Sequence, residues 1–68
     1  MNELIFLIEE AAEGGYNARA LGESIFTQGE TLEEIKSNIK DAVECHFDEE
    51  NKPKILRFHT VIDEVIAI

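Results

Sequence analysis

Few side chains in this sequence have the types and spacing that chemistry requires. Cys45 is the only cysteine, and His46 follows it directly. Both lie in a segment with helical periodicity, where successive side chains project about 100° apart and do not face each other. A thiol nucleophile needs its base within hydrogen-bonding distance. The pair therefore does not predict nucleophilic catalysis.

The many carboxylates could act as acid–base or metal-binding groups, but their positions favour neither role. They concentrate at 9–13, beside a predicted turn, and at 48–50, after a predicted helix, where charge is typical of solvated loops. Asp63 and Glu64 would project to opposite sides of an extended chain, which makes them a poor acid–base pair. No Cys/His cluster has metal-ligand spacing, and the glycine-rich phosphate-binding patterns are absent. We expect no catalytic residue, no metal and no cofactor, and a protein that is not an enzyme.

One alternative from the enzyme class stays open. Polar side chains from separate segments could converge in a cleft between subunits and bind a small ligand or a metal. The candidates are Glu10, Arg19, His59 and Asp63. This alternative requires two or more of them to surround one concavity.

The segments that would position these residues begin with three β-strands. ELIFLIEE is a continuous apolar run bounded by charge, which is typical of a strand buried on both faces. Gly14-Gly15 predicts a hairpin turn, and the alternation from Tyr16 to Leu21 predicts a second strand. A turn at Gly22-Glu23 precedes SIFTQ, a short third strand that ends at Gly29-Glu30.

A capped amphipathic helix follows these strands. Thr31 and Glu34 match the T-x-x-E capping box, in which the Thr hydroxyl accepts a backbone N–H and the Glu side chain reaches back to the cap amide. Apolar residues then recur at helical spacing and form one stripe. They are Leu32, Ile35, Ile39, Ala42, Val43 and Phe47. The helix is predicted to run from Leu32 to Phe47, and Pro53 forbids any continuation.

The remaining segment, KILRFHTVIDEVIAI, is again β-prone. Residues 55, 57, 59 and 61 would face one side of a strand and the residues between them the other. Asp63-Glu64 marks a bend or turn, after which VIAI is an optional further strand. We predict a single α+β domain over residues 1–68, in the order β-β-β-α-β(-β), with an antiparallel sheet and one helix packed on one face.

The predicted sheet has more apolar surface than its helix can cover. A chain of 68 residues forms one domain, whose core supplies only roughly 3–5 kcal/mol, and a single cysteine excludes an intrachain disulfide. One helix covers one face of a sheet, yet the first strand is apolar on both faces and the last strand nearly so. We expect a homo-oligomer, most simply a two-fold dimer. The alternative is that these residues wrap onto their own core.

The charge balance restricts the partners. The formal net charge is -9, from 15 Asp and Glu against 6 Lys and Arg. Such a chain repels phosphate backbones, so we expect no direct nucleic-acid binding. Its acidity suits attraction to a basic protein or solubility alone. The apolar run from Leu4 to Ile8 lacks a basic segment before it and is too short to span a membrane. A lone thiol suits a reducing compartment, so we expect a cytoplasmic protein.

Several of these motifs together resemble the N-terminal domain of the HicB-like antitoxin family. The family's second strand begins with a Gly-Tyr pair, matched by Gly15-Tyr16, and its helix begins with G-[DE]-T-x-E-E-A. The residues that match the second motif are Gly29, Glu30, Thr31, Glu33 and Glu34, with Ile35 where Ala is common. The resemblance covers about residues 4–48. It implies a partial ribonuclease-H-like fold without the acidic metal constellation of true ribonuclease H enzymes.

The resemblance also implies a function. Family antitoxins bind and block a small basic HicA-like ribonuclease toxin, and full-length members continue into a DNA-binding domain. This chain stops at Ile68, which implies a short, stand-alone member with the toxin-neutralising half alone. We expect a non-enzymatic protein-interaction module of antitoxin type. The alternative is an oligomeric structural protein with no toxin partner.

For contacts with a partner, we select charged residues that we expect to be exposed. They are Glu33, Asp41 and Glu44 on the helix, and Arg19 and Arg57 on the sheet. A charged helix face is also typical of a surface that is merely solvated, so this prediction depends on where the fold places these residues.

Overall fold

Five regular elements make up the fold. The computed structural model describes residues 2–62 and 64–68 of the chain. The elements are the strands β1 (Glu3–Glu10), β2 (Tyr16–Ala20), β3 (Phe26–Gly29) and β4 (Ile55–Val61) and the helix α1 (Leu32–His46). The four strands form one sheet in the order β3-β2-β1-β4. The predicted α+β layout, β-β-β-α-β, is confirmed.

The sheet is mixed, so the prediction of an antiparallel sheet is wrong for one strand pair. β1 pairs antiparallel with β2, and β2 with β3, but β4 lies parallel to β1, with Phe58 beside Phe6. The connection is the cause: β3 runs in the direction of β1 and α1 carries the chain back, so β4 starts at the end where β1 starts. There the N–H groups of Lys54 and Ile55 both donate to the Asn2 carbonyl, at 3.1 and 3.0 Å.

The core lies between one face of the sheet and α1. Its largest fully buried side chains are Phe6 and Ile8 of β1 and Ile35 and Ile39 of α1. The predicted helix stripe is confirmed, since Val43 is also buried and the other three members pack against the core at its margin. The helix therefore covers one face of the sheet, as one helix can.

Two residues of the Gly29-Glu30-Thr31 motif have structural roles at the start of α1. Thr31 is the N-cap, and its Oγ1 accepts the N–H of Glu34 at 3.0 Å. The reciprocal bond of a complete capping box, from the Thr31 N–H to the Glu34 carboxylate, does not occur among the described hydrogen bonds. Gly29 allows a close approach of sheet and helix, because a Cβ there would lie 2.8 Å from the nitrogen of Ile35 and 2.9 Å from its Cα.

The turn between β1 and β2 also needs its glycine. Gly15 has a φ of 76°, in the left-handed region that favours glycine. A Cβ at this position would also lie 2.7 Å from the carbonyl oxygen of Gly29. The predicted Gly14-Gly15 turn is therefore confirmed, and it packs against the end of β3.

The end of α1 and the segment after β4 both differ from the prediction. α1 ends at His46, one residue early, with Phe47 as its C-cap. Within the described residues, no helix is both long and apolar enough to cross a membrane. Residues 64–68 form no strand, so the optional VIAI strand is absent there, and the predicted bend at Asp63-Glu64 lies partly outside the described residues.

The segment after β4 gives the molecule an elongated shape. Its principal extents are 53 × 18 × 18 Å. A 15-residue helix is about 22 Å long and an 8-residue strand about 26 Å. The folded body accounts for only about half of the long dimension, so the end of the chain extends beyond the sheet.

Candidate protein-interaction surface

One face of the sheet has no helix on it. Alternate side chains of a strand point to opposite faces, and Leu4, Phe6 and Ile8 of β1 point towards α1. The opposite side, called the open face below, carries the intervening positions. These are Glu3, Ile5, Leu7 and Glu9 of β1, Asn17 and Arg19 of β2, Phe26 and Gln28 of β3, and Ile55, Arg57, His59 and Val61 of β4.

The open face is apolar along its middle. Ile5 and Leu7 of the inner strand β1 are only half-buried, by their neighbours in the sheet. Around them lie Phe26, exposed at 59%, and Ile55 and Val61, exposed at 54% and 47%. The expected second apolar face is present, and no described segment of the chain wraps over it. Polar side chains interrupt this apolar surface, because Arg57 and His59 stand beside Ile5 and Leu7, and Arg19 separates Leu7 from Phe26.

One ion pair joins two parallel strands on the open face. Nε of Arg57 donates a hydrogen bond to Oε1 of Glu3, and both side chains remain solvent-accessible. This hydrogen bond lowers the pKa of Glu3, although desolvation opposes it and the charge of Arg57 assists it. The same bond raises the pKa of Arg57. Arg57 therefore already has an acidic partner within its own chain.

The open face is close to neutral. It carries two acidic side chains, Glu3 and Glu9, and two that are permanently basic, Arg19 and Arg57. The chain as a whole has a formal net charge of -9. The excess of negative charge therefore lies elsewhere, on the helix side and in the loops.

The predicted acidic side of α1 is present, and nearby lysine side chains neutralise part of its charge. Glu33, Asp41 and Glu44 are all exposed, and a rotation of 100° per residue places them within an arc of about 80°. Lys40 projects about 20° outside this arc, and Nζ of Lys52 lies 3.8 Å from Oε1 of Glu44. The result is a mainly acidic surface turned away from the sheet.

The five selected contact residues do not form one surface. Arg19 and Arg57 lie on the open face, whereas the three helix residues lie on the far side of α1. The sheet and the helix separate the two groups. They can therefore serve two different partners, or one partner that wraps around the domain.

The three described residues of the alternative enzyme site do not all lie on one face of the sheet. Glu10 lies on the helix side of the sheet, whereas Arg19 and His59 lie on the open face. Arg19 and His59 flank Leu7 on either side, so their backbones are two strand spacings, or about 10 Å, apart. Asp63, the fourth candidate, lies outside the described residues.

The sequence did not predict a groove that lies between the β1–β2 turn and the start of α1. Its lining comprises residues 11–14, Tyr16, Asn17, Gln28, Gly29, Glu30 and Glu34. The only sequence signal for it is the pair of motifs that contain Gly15 and Gly29, which contact each other at this end of the sheet. No group of three His, Cys, Asp or Glu side chains in the described parts of the chain could hold a metal ion.

The two edges of the sheet differ in length and character. β3 forms one edge with four residues, whereas β4 forms the other with seven. Protein sheets normally protect an edge with short strands, charges or proline, but Arg57 is the only permanently charged residue of β4, and Pro53 precedes the strand. Beyond β4, Val65 and Ile66 are exposed at 94% and 81%, and Ile68 is fully exposed. Sequence reasoning identified the strand but not its place at an edge.

The fold and this surface define a small α+β domain with a one-sided helix and a free apolar sheet face. No protein-family model and no solved structure matches the sequence. The chain is 60% identical over 55 residues to a UPF0150 protein of Archaeoglobus fulgidus, which covers 81% of this chain and 82% of the relative. It is 47% identical over 66 residues to a UPF0150 protein of Thermotoga maritima, and this matched stretch covers 97% of this chain and 93% of the relative. The chain therefore belongs to the UPF0150 family.

Proposed function

We propose that this UPF0150 protein is a non-enzymatic interaction module of the HicB-like antitoxin type. In this role it binds and blocks a small basic ribonuclease toxin of HicA type in the cytoplasm, without contacting nucleic acid itself. It acts as a homo-oligomer, most simply a two-fold dimer. The observation that carries the proposal is the open face, an exposed apolar surface on a strongly acidic domain.

Two separate surfaces support two kinds of partner. The open face is apolar and nearly neutral, which suits association between copies of a chain whose other surfaces repel one another. The outward side of α1 carries Glu33, Asp41 and Glu44, which suits a basic protein. Charge of this kind steers association and raises the association rate more than it raises the affinity.

The competing role, an oligomeric structural protein without a toxin, uses the open face in the same way. The two roles differ at the acidic side of α1, which binds a toxin in the antitoxin role and has no partner in the structural role. A test of the antitoxin role must therefore act on the helix and leave the open face unchanged.

We expect a small basic protein to be encoded beside this chain in its genome, and the test uses that protein. We expect the two proteins to copurify and this chain to inhibit the ribonuclease activity of its partner. The triple variant Glu33→Lys, Asp41→Lys and Glu44→Lys should slow association by about 10-fold or more and reduce its salt dependence, because it removes the steering field. Stopped-flow association rates between about 0.05 and 0.5 M salt measure both effects.

A matched control separates local contact from net charge. Glu10→Lys, Glu13→Lys and Glu50→Lys change the net charge equally at exposed positions outside the acidic side of α1. Equal slowing in both triple variants would mean that α1 makes no specific contact. If no basic protein copurifies and no ribonuclease is inhibited, the antitoxin role is wrong and the structural role is favoured.

A further inference from the structure

We infer that two copies of this chain exchange their C-terminal segments, so that residues 62–68 of each copy add as a strand to the outer edge of β4 in the other. The inference rests on the homo-oligomer of the proposed function and names its interface, but it requires no toxin. Four properties support it: the edge, the segment, the side chains on both faces of β4, and the charges.

The acceptor is the outer edge of β4. This strand spans Ile55–Val61 and stands last in the sheet, with β1 on its inner side. Its outward N–H and C=O groups form a template for another strand. β3, at the opposite edge, offers only Phe26–Gly29, which is too short to pair with a seven-residue segment.

The donor is the segment that follows β4. Val65, Ile66 and Ile68 make almost no contact with their own domain, because they are between 81% and fully exposed. The segment covers seven positions, 62–68, the same number as β4, so it can span the edge. It leaves the sheet beside the end of β1, where Val61 pairs with Glu9, and extends beyond its own sheet, which places it within reach of another copy.

Both faces of β4 offer apolar side chains to an added strand. Leu56 and Phe58 are half-buried on the helix side, and Ile55 and Val61 are exposed on the open face. Successive residues of the added segment project to opposite faces. Val65 and Ile66 would therefore meet opposite faces of β4, and the register decides which apolar side chain of each face they contact.

The charges favour this pairing over other contacts between two acidic molecules. β4 contains Arg57 and no acidic residue, whereas the segment contains Asp63 and Glu64 and no basic residue. Arg57 already pairs with Glu3 of its own chain, so the acidic residues of the segment would share this partner, and the main advantage of the β4 edge is that it adds no further negative charge. The near-neutral open face beside β4 lets the two domains approach where repulsion is least.

In a two-fold dimer, each contact between the segment of one copy and β4 of the other occurs twice. Each segment pairs antiparallel with the β4 strand of the other copy, so one axis satisfies both exposed edges and both exposed segments. β4 and the segment contribute seven residues each from every copy. This is fewer than the roughly 20–30 residues a side of a standard interface, so the backbone hydrogen bonds of the added strand must supply much of the affinity.

The experiment combines sedimentation with NMR on the full chain. A mixture of ¹³C-labelled and unlabelled copies reports contacts between copies alone. We expect a dimer in which the labelled methyl groups of Val65, Ile66 and Ile68 show cross-peaks to unlabelled apolar side chains of β4. Val65 should contact one face of β4 and Ile66 and Ile68 the other, with Leu56 and Phe58 on the helix side and Ile55 and Val61 on the open face. Cross-peaks confined within one copy would overturn the exchange, as would cross-peaks that arise only when a basic partner is added.

Two double variants test the energetics. Ile66→Asp with Ile68→Asp removes apolar contacts and adds charge in each copy, so the dimer dissociation constant should rise by about 100-fold or more. The control, Ser24→Asp with Ser37→Asp, adds the same charge at exposed positions outside the interface and should change it only slightly. The folded monomer should persist in both, because Ile66 and Ile68 are almost fully exposed and make little contact with their own domain.

The outcomes separate this inference from the function on which it rests. A dimer that survives the segment variant unchanged overturns the exchange but leaves an oligomer joined through the open face. A wild-type chain that is monomeric at all concentrations overturns both the exchange and the oligomer. Binding of a basic partner, measured as described above, bears on the antitoxin role alone.

Discussion

The two faces of β1 have the same kinds of residue and opposite surroundings. Phe6 and Ile8 point towards α1 and are fully buried. Ile5 and Leu7 of the same strand point to the open face and are half-buried. Only the tertiary cover differs, because α1 lies on one side. An apolar side chain in this strand therefore stabilises the single domain on one face and stays partly exposed to solvent on the other.

The largest expected effect breaks the covered face. Ile39→Ala removes a fully buried side chain beneath the sheet and should cost about 2–5 kcal/mol of unfolding free energy. Since the core supplies only roughly 3–5 kcal/mol, much of the chain should unfold. Urea denaturation followed by circular dichroism measures the loss.

Two companion variants sharpen that comparison. Ile39→Val keeps most of the contacts and should cost about 0.5–1.5 kcal/mol. Leu7→Ala, on the open face, should cost less than Ile39→Ala, because Leu7 is only half-buried in a single copy. If the proposed oligomer covers the open face, this cost should also depend on protein concentration. Equal losses for Ile39→Ala and Leu7→Ala at every concentration would show that the two faces do not differ as described.

The next largest effect concerns Gly29, where the sheet approaches the helix most closely. Gly29→Ala would place a Cβ 2.8–3.0 Å from backbone and side-chain atoms of Ile35. The helix must then move outward, at a cost of about 1–3 kcal/mol. The thermal midpoint and the urea midpoint should both fall.

Gln28 supplies the control for this substitution. Its side chain is exposed, and its bond with Asn38, at 2.7 Å, uses the backbone carbonyl. Gln28→Ala should therefore change stability by no more than about 0.5 kcal/mol. A Gly29→Ala variant as stable as this control would mean that the close approach of helix and sheet is unimportant.

A smaller effect concerns the start of the covering helix. Thr31→Ala removes the side-chain acceptor for the Glu34 N–H and should cost about 1 kcal/mol. Thr31→Ser keeps the hydroxyl and should retain most of the stability. If the Ala and Ser variants have the same urea midpoint, the cap contributes nothing measurable.

The smallest effect lies on the open face, at the Glu3–Arg57 pair. The folded-state pKa of Glu3 is lowered, chiefly by the hydrogen bond from Arg57. The stabilisation is therefore present above the unfolded-state pKa and is lost as the pH falls through the lower folded-state pKa. Arg57→Gln should raise the Glu3 pKa towards its ordinary value, as a ¹³C carboxyl titration will detect.

Arg19 provides the matched comparison for this titration. It lies on the same open face but makes no contribution to the Glu3 pKa. Arg19→Gln should therefore leave the titration of Glu3 unchanged. A Glu3 pKa that is the same in both variants would contradict the assignment of the shift to Arg57.

Local sequence patterns predicted most of the secondary structure. The Thr31 cap, the stripe from Leu32 to Phe47 and the Gly14-Gly15 turn depend on neighbouring residues, and all three are present. The helix ends one residue early, at His46. These features were predictable because helical and strand periodicities are properties of short segments.

The candidate surface was predictable only in part. The sequence indicated an exposed acidic helix side and an apolar second sheet face, and both are present. It did not show that Glu33 and Arg57 lie on opposite sides of the domain, because that depends on how the helix crosses the sheet. The edge position of β4 was missed for the same reason.

The sequence by itself determined which residues form strands and helix, which helix side is apolar, and that β1 has two apolar faces. Those properties follow from side-chain periodicity within short segments. Only the tertiary structure decided that β4 lies parallel to β1, at an edge, with Val65 and Ile66 exposed beyond it. Strand order and direction depend on where α1 returns the chain, which involves contacts between residues distant in the sequence.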